Sequence, residues 1–599
     1  MGDDDCTGES EELDMPKTYL QGGSINMKTE RDDRGIALLI AVIFMMIAIL
    51  LTSFLSLRSV NNYRITRAYA SFEKDIYGCE AGIADASREL SRIGDGLDND
   101  GDGLVDEDDE FDGKIGTGAW SLNNDTNGDG MPSFDEENVV PVVLGANTDS
   151  RTEYFAWAQE WGSDGVDNNG DGNVDDDFEQ DYASIIASAR RAGQVRTVEV
   201  IAVRLNVNAW NNAAFGGAGA AGGCINGNVS IHGSVHILGD NIPEGGQAVA
   251  AIDMSGTSLI SNNYEGLPAE FQNRVPALAT RTFQGEEVGT IGSKLRVRNG
   301  LVSMSGTAHV GEIDVPGNDR KETVDGTYVT DGWTGNSVTP DGGRGDPNNV
   351  HSDNGWDALY DLGNRVAFPR LSDPWRDPVT GLTVTNPATG VPYTHQEYFT
   401  QVLADSIVPG PVTINVGTSY YYNASRPGDS NPASRVPAHD DYIYYNAATG
   451  VMELGGQVAI NGDFKIKSQG NNRTINYTGR AAVLVIGNAE IDANLYTVNG
   501  NGSTANSYPA ANCLGMMATG QLIVGSGAQR TLMGAFYGQQ LVKSVKQTTT
   551  AGTYVSEYFD MGTNVPSIFQ IPDLARNLPY GMVGSYPVYV VQPCSWREL

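Results

Sequence analysis

Gly227-Asn228-Val229-Ser230-Ile231-His232 runs directly into Gly233-Ser234-Val235-His236-Ile237-Leu238, two consecutive copies of Gly-x-apolar-x-apolar-x. The pattern returns in Gly456-Gln457-Val458-Ala459-Ile460-Asn461 followed by Gly462-Asp463-Phe464-Lys465-Ile466-Lys467. Gly300-Leu301-Val302-Ser303-Met304-Ser305 into Gly306-Thr307-Ala308-His309-Val310, and Gly487-Asn488-Ala489-Glu490-Ile491-Asp492, extend the set. Alternate side chains of a short strand point to one face and glycine makes the corner, so stacked copies predict a β-solenoid core. Val229, Ile231, Val235 and Ile237 are expected to face inward, with Ser230, His232, His236 and Leu238 outward or at corners. The alternative is an irregular antiparallel sandwich. Residues 325–361 and 420–441 read as loops decorating a β-rich head that spans 224–599.

Upstream of the head, Gly216-Gly217-Ala218-Gly219-Ala220-Ala221-Gly222-Gly223 closes a segment, 211–223, with the composition of a flexible linker. Before it, residues 181–210 predict two strands around Arg191-Ala192-Gly193-Gln194, the stronger being Val195-Arg196-Thr197-Val198-Glu199-Val200-Ile201-Ala202-Val203.

Three acidic, glycine-punctuated segments fill 94–180. In the first, Asp98, Asp100, Asp102 and Asp106 take positions one, three, five and nine of a calcium loop, with Gly103 at six, the Leu104 carbonyl at seven and Asp109 at twelve. In the second, Asp125, Asn127 and Asp129 take one, three and five, Gly130 six, Met131 offers its carbonyl, Ser133 is ninth and Glu136 twelfth, where both carboxylate oxygens can bind one ion. The third, with Asp167, Asn169, Asp171, Asn173 and Asp175, repeats the first almost residue for residue, but Phe178 stands at twelve. Calcium takes six to eight hard oxygens, which this alternation supplies. A solvated acidic tract would lack such a repeat, so calcium is the expected cofactor. The loops resemble thrombospondin type 3 and dockerin-like loops, which implies stabilisation of an extracellular module.

Further upstream, Arg34-Gly35-Ile36-Ala37-Leu38-Leu39-Ile40 opens an uncharged run of 22 residues ending at Leu57, about the length a helix needs to cross a bilayer. Polar sequence follows, with Ile65, Phe72, Ile76, Cys79, Ile83, Ala86, Leu90 and Ile93 on one helical stripe. Arg34-Gly35-Ile36-Ala37-Leu38-Leu39-Ile40 and Cys79-Glu80-Ala81-Gly82-Ile83-Ala84-Asp85-Ala86 resemble the N-terminal region of PilX-type minor pilins, within the type IV pilins and type II secretion pseudopilins. The resemblance implies an α+β fold: a long N-terminal pilin-type helix over 36–93, a small pilin-like β region, then the mainly-β head. It implies cleavage by a prepilin peptidase between Gly35 and Ile36, removing a leader of residues 1–35 whose start is Met1 or, with a more ordinary leader, Met27. Other pilins or pseudopilins would be partners through the N-terminal helix. The chain would sit in the inner membrane with its N-terminus cytoplasmic, then reach the periplasm or cell surface in a filament. Pilins usually carry glutamate at the fifth mature position; Ile40 stands there, which suits a subunit that starts or caps a filament.

Lys+Arg 38 against Asp+Glu 75 gives a net charge of −37, which argues against nucleic acid as a partner. Gly 73 with only 19% charged residues reads as loop-rich and β-rich. Cys6, Cys79, Cys224, Cys513 and Cys594 form no metal-thiolate spacing; after export, the last three could pair. The histidines His232, His236, His309, His351, His395 and His439 are scattered, and no nucleophile elbow, His-Glu-x-x-His or phosphate loop occurs. The resemblance to minor pilins implies a non-enzymatic, pilin-like subunit displaying a head for adhesion or recognition of a surface or glycan ligand near a filament tip. The alternative is a membrane-anchored, glycan-active β-solenoid enzyme.

Overall fold

The computed structural model describes residues 41–46, 52, 58, 76–88, 90, 114–115, 117, 132–136, 139–144, 151–161, 182–191, 194–219, 229–242, 250–254, 256–283, 286–298, 301–304, 309–310, 366–377, 383–403, 407–423, 441–468, 473–561, 566–586 and 588–599. The chain divides into two units, Met1–Lys74 and Asp75–Leu599. In the first, the described residues 41–46, 52 and 58 are helical.

The expected α+β class with a long helix over 36–93 requires correction. Strands dominate the described residues, and no described helix is long and apolar enough to cross a membrane. The longest helical stretch among the described residues is 76–88, with residue 90 also helical. Glycine-rich, β-branched sequence disfavours helix and suits strands.

Within the second unit, five antiparallel strands, β1 (Lys114–Ile115), β2 (Val142–Leu144), β3 (Thr152–Glu160), β4 (Tyr182–Arg191) and β5 (Gln194–Asn206), form a small sheet. β3 alternates: Tyr154, Ala156 and Ala158 face a core that also takes in Ala183, Ile185, Ala187, Ala189, Val198, Val200 and Ala202, and the helix packs Cys79, Ala86 and Leu90 into it. Alanine on the sheet and glycine on the helix let the two backbones approach. A Cβ on Gly78 would stand 2.7 Å from Ala189 Cβ, and one on Gly82 3.1 Å from the Tyr154 ring. The Tyr154 hydroxyl donates to Asp85 at 2.5 Å and the Cys79 thiol to the Arg196 carbonyl at 3.5 Å. Burial, reinforced by the Asp85 carboxylate, pushes the Tyr154 phenol up to about 12.

The sixth strand of this sheet is the C-terminal segment Tyr589–Glu598, antiparallel to β5 with Tyr589 opposite Asn206. Val207 N–H donates to the Val588 carbonyl at 2.7 Å, so the chain leaves and re-enters the small sheet at adjacent points. Residues 207–588 are thus an insertion between neighbouring strands, where the sequence suggested a head running from 224 to the C-terminus. The segment expected as a linker supplies a buried strand, Ala214–Gly216.

The insertion is a parallel β-solenoid. One continuous register row runs Val458, Val483, Met516, Phe536, Tyr554, Ala214, Val235, Leu295. A second runs Val412, Phe464, Ala489, Leu522, Val542, Phe559. A third runs Ile475, Leu495, Leu532, Thr550, Ile568, Ile231, Ile260. Every residue of the three rows is buried. Chain order and stacking order differ: coils from Ile407 to Phe569 stack in sequence, and the coil of residues 214–237 then stacks on the last of them. Gln570 pins this junction. Its backbone N–H donates to the His232 carbonyl (2.8 Å), its Oε1 accepts from Ser234 N–H (2.6 Å), and its Nε2 donates to the Asn211 carbonyl (3.1 Å). Opposite it, Gly233 has φ +145°, and a Cβ there would meet Gln570 Cβ at 2.4 Å, so glycine is obligatory. Residues 420–423, expected in a loop, form a strand antiparallel to Tyr442–Asn446.

Val229, Ile231, Val235 and Ile237 are buried, and so are His232, His236 and Leu238, expected outside. The reason is non-local. His232 lies over Phe569 with ring centroids 4.3 Å apart, its Nδ1 2.8 Å from Ser261 Oγ and its Nε2 2.8 Å from Ser230 Oγ. His236 meets the edge of Phe215 (5.2 Å), and Phe368 stacks on Phe215 (6.5 Å) and Tyr537 (5.9 Å), covering this face of the solenoid. Burial, with Arg296 and Arg298 nearby, holds His236 well below the usual histidine range. Cys513, weighed above for a disulfide, is free and buried, as is Cys79; burial pushes the Cys513 thiol up to about 12.

Candidate functional site

β3 decides what the small sheet offers outward. With Tyr154, Ala156 and Ala158 turned to the helix, the intervening Phe155 and Trp157 point the other way. They join Ile186, Val195, Phe134 and Leu599 around a cleft of about 320 Å³. The turn at residues 133–136, the end of the second acidic segment, forms one wall. Phe134 packs against Phe155 with ring centroids 4.7 Å apart, and the Arg190 guanidinium lies 4.6 Å from the centre of the Phe134 ring. Arg190 also reaches Asp135 (3.4 Å) and Glu153 (2.8 Å). The Arg190 hydrogen bond holds the Glu153 carboxyl below the usual range, outweighing partial burial.

Of the residues expected to bind calcium, the described ones are Ser133 and Glu136. The Glu136 carboxylate accepts from the Ser133 N–H at 2.9 Å, and Glu136 N–H donates back to the Ser133 carbonyl at 3.2 Å, closing a turn. Glu136 is buried against the sheet. Asp98, Asp100, Asp102, Leu104, Asp106, Asp109, Asp125, Asn127, Asp129, Met131, Asp167, Asn169, Asp171, Asn173 and Asp175 lie outside the described residues, as do the cleavage-site residues Gly35 and Ile36. Among the described residues, no three His, Cys, Asp or Glu side chains converge as a metal site.

The cleft presents aromatic and aliphatic surface with the Ser133, Ser188 and Thr197 hydroxyls and the Asp135 carboxylate. The sequence reading missed it, although the alternation of Phe155 and Trp157 with Tyr154, Ala156 and Ala158 was a usable signal for a two-faced strand.

No known protein family matches the sequence, and no curated protein does so. The crystal structure of the competence-associated pilin ComZ from Thermus thermophilus is similar, with a TM-score of 0.45 and 17% identity over 88% of this chain and 97% of that one. A likeness at that level fixes neither fold nor function for this chain.

Proposed function

We propose that this chain is a non-enzymatic, pilin-like minor subunit of a type IV pilus or type II secretion-like filament, carrying its β-solenoid as a recognition head. The observation that carries the reading is the docking of residues 76–88, through Gly78, Gly82, Cys79 and Ala86, onto an alanine-lined antiparallel sheet. This module lies downstream of Arg34-Gly35 and the apolar run Ile36–Leu57 in sequence. Insertion of the solenoid between β5 and the C-terminal strand supports the division of labour, because a large head can be added where chain exit and re-entry already coincide. Prepilin peptidase would cut after Gly35, placing the chain in the inner membrane before assembly and at the cell surface afterwards. Ile40, in place of glutamate, suits a tip position. Asp98, Asp100, Asp102 and Asp106, with Asp125, Asn127, Asp129 and Glu136, would hold calcium, which would tie the acidic loops into compact turns.

Recovery of the chain in sheared, washed filaments, and its loss from them when Gly35 is replaced by Val, tests the proposal. A chain that stays soluble and never fractionates with filaments would refute it.

A further inference from the structure

We propose that a second cleft, on the outward face of the solenoid at Glu453, binds a neutral, hydroxyl-rich saccharide. This deepens the recognition reading above and rests on it. The cleft holds about 410 Å³ between the strands Tyr442–Asn446, Val451–Asn461 and Thr474–Val485 and the turn at residues 498–502. That is within the range of small-ligand sites.

One register row crosses this face: Tyr421 opposite Tyr444, Tyr444 opposite Glu453, Glu453 opposite Thr478. Three strand spacings make it about 14 Å long. Tyr421 and Tyr444 meet edge to face, with ring centroids 5.6 Å apart, so one end of the row is an aromatic platform. The other end is polar and held in place. Asn512 Oδ1 accepts from the Thr478 hydroxyl (3.0 Å) and from Gly479 N–H (2.7 Å), while its amide donates to Asn499 Oδ1 (3.1 Å). The Asn499 amide in turn donates to the Ala505 carbonyl at 3.0 Å. Thr478 and Asn499 thus face the cleft from fixed positions, which spares a ligand the cost of ordering them.

The ligand class follows from what lines the cleft. Tyr442 lines the cleft and the Tyr421–Tyr444 pair continues its face beside Glu453 in the register, offering ring surface to the C–H faces of a sugar, while Glu453, Thr478 and Asn499 line the cleft with polar groups. Among the described residues no cation lines it, and with a chain charge of −37 an anionic polymer is repelled. A peptide adding as a strand finds no edge at Glu453, since residues 451–455 are paired on both sides.

The test uses the full-length chain titrated with chitotetraose, cellotetraose and maltotetraose, read by saturation-transfer NMR and calorimetry. At least one should bind, and Glu453→Ala and Tyr444→Ala should each weaken it at least tenfold, with hydrogen exchange over residues 474–524 unchanged. Tyr558→Ala, at an exposed tyrosine elsewhere on the solenoid, should leave it unchanged. Failure of all three sugars to bind, or binding that survives both cleft substitutions, would overturn the proposal. Filament recovery of the wild-type chain separates the two readings: a wild-type chain that is present in filaments and binds none of the three sugars sinks the cleft alone, and absence of the wild-type chain from filaments sinks the subunit reading.

Discussion

Replacing Gln570 by Ala should loosen the solenoid at one place, where the coil of residues 214–237 stacks on the coil that ends at Phe569. The substitution keeps the backbone bond to His232 and removes the side-chain bonds to Ser234 N–H (2.6 Å) and the Asn211 carbonyl (3.1 Å). Ser234 and Gln570 are both buried, so water does not replace the lost partners freely. Each orphaned group costs about 1–3 kcal/mol, or about 2–6 kcal/mol together. At about 1.4 kcal/mol per factor of ten, hydrogen exchange in peptides from 213–237 and 548–570 should accelerate between about 30-fold and about 20,000-fold. Peptides from 407–423, at the far end of the stack, should not change. Gln547→Ala supplies the control: among the described residues its exposed amide meets Gln529 at 3.0 Å, and its loss should stay within about 0.5 kcal/mol. If Gln570→Ala accelerates exchange no more than Gln547→Ala, the first coil does not stack on the last and the insertion topology is wrong.

Acid should weaken the solenoid through its buried histidines. His395, inside the fold beside the Gly581 carbonyl, is lowered by burial to about 4, and His236 is lowered well below its ordinary value. Folded pKa values below the unfolded 6.5 mean that the unfolded chain binds more protons, so this stability is complete above pH 6.5 and is lost as pH falls toward 4. Melting temperatures of His395→Phe and His236→Phe should fall less steeply than wild type between pH 7 and 4.5; parallel curves would show that neither ring is buried neutral. Gly78→Val should lift the helix from the sheet against Ala189 and Thr152, costing about 1–3 kcal/mol despite better helix propensity, with earlier proteolysis around residues 75–90; resistance equal to wild type would contradict the close packing. Asp129→Ala should lower the melting temperature only when calcium is present, and wild-type melting that is indifferent to chelator would refute calcium at the acidic loops.

The coils themselves were legible because glycine keeps its phase through Gly227 and Gly233 and again through Gly456 and Gly462, with apolar residues alternating between. Which coil stacks on which was not. The partner of Ile231 is Ile568, and no local pattern links residues so far apart. The same non-locality misled the reading of His232 and His236: alternation put them outside, but Phe569 and the Phe368 layer cover them. The stripe of Cys79, Ala86 and Leu90 was readable and is buried on the small sheet, whereas Gly78 and Gly82 gave no warning that the helix would sit close enough to exclude a side chain. The long helix expected over 36–93 came from the apolar run, the helical stripe that follows it and the pilin resemblance, and the strand-dominated insertion sets the fold class instead. The C-terminal strand was overlooked because Tyr589-Val590-Val591-Gln592-Pro593-Cys594 carries a proline, which reads against a strand; the register shift between Pro593 and Ser595 accommodates it at the sheet edge.

The most direct test of a processed, filament-borne subunit is the N-terminal residue of the chain recovered from purified filaments. Terminal sequencing or intact-mass analysis should find Ile36 as the first residue. A terminus at Met1 or Met27 on filament-associated chain would contradict the account.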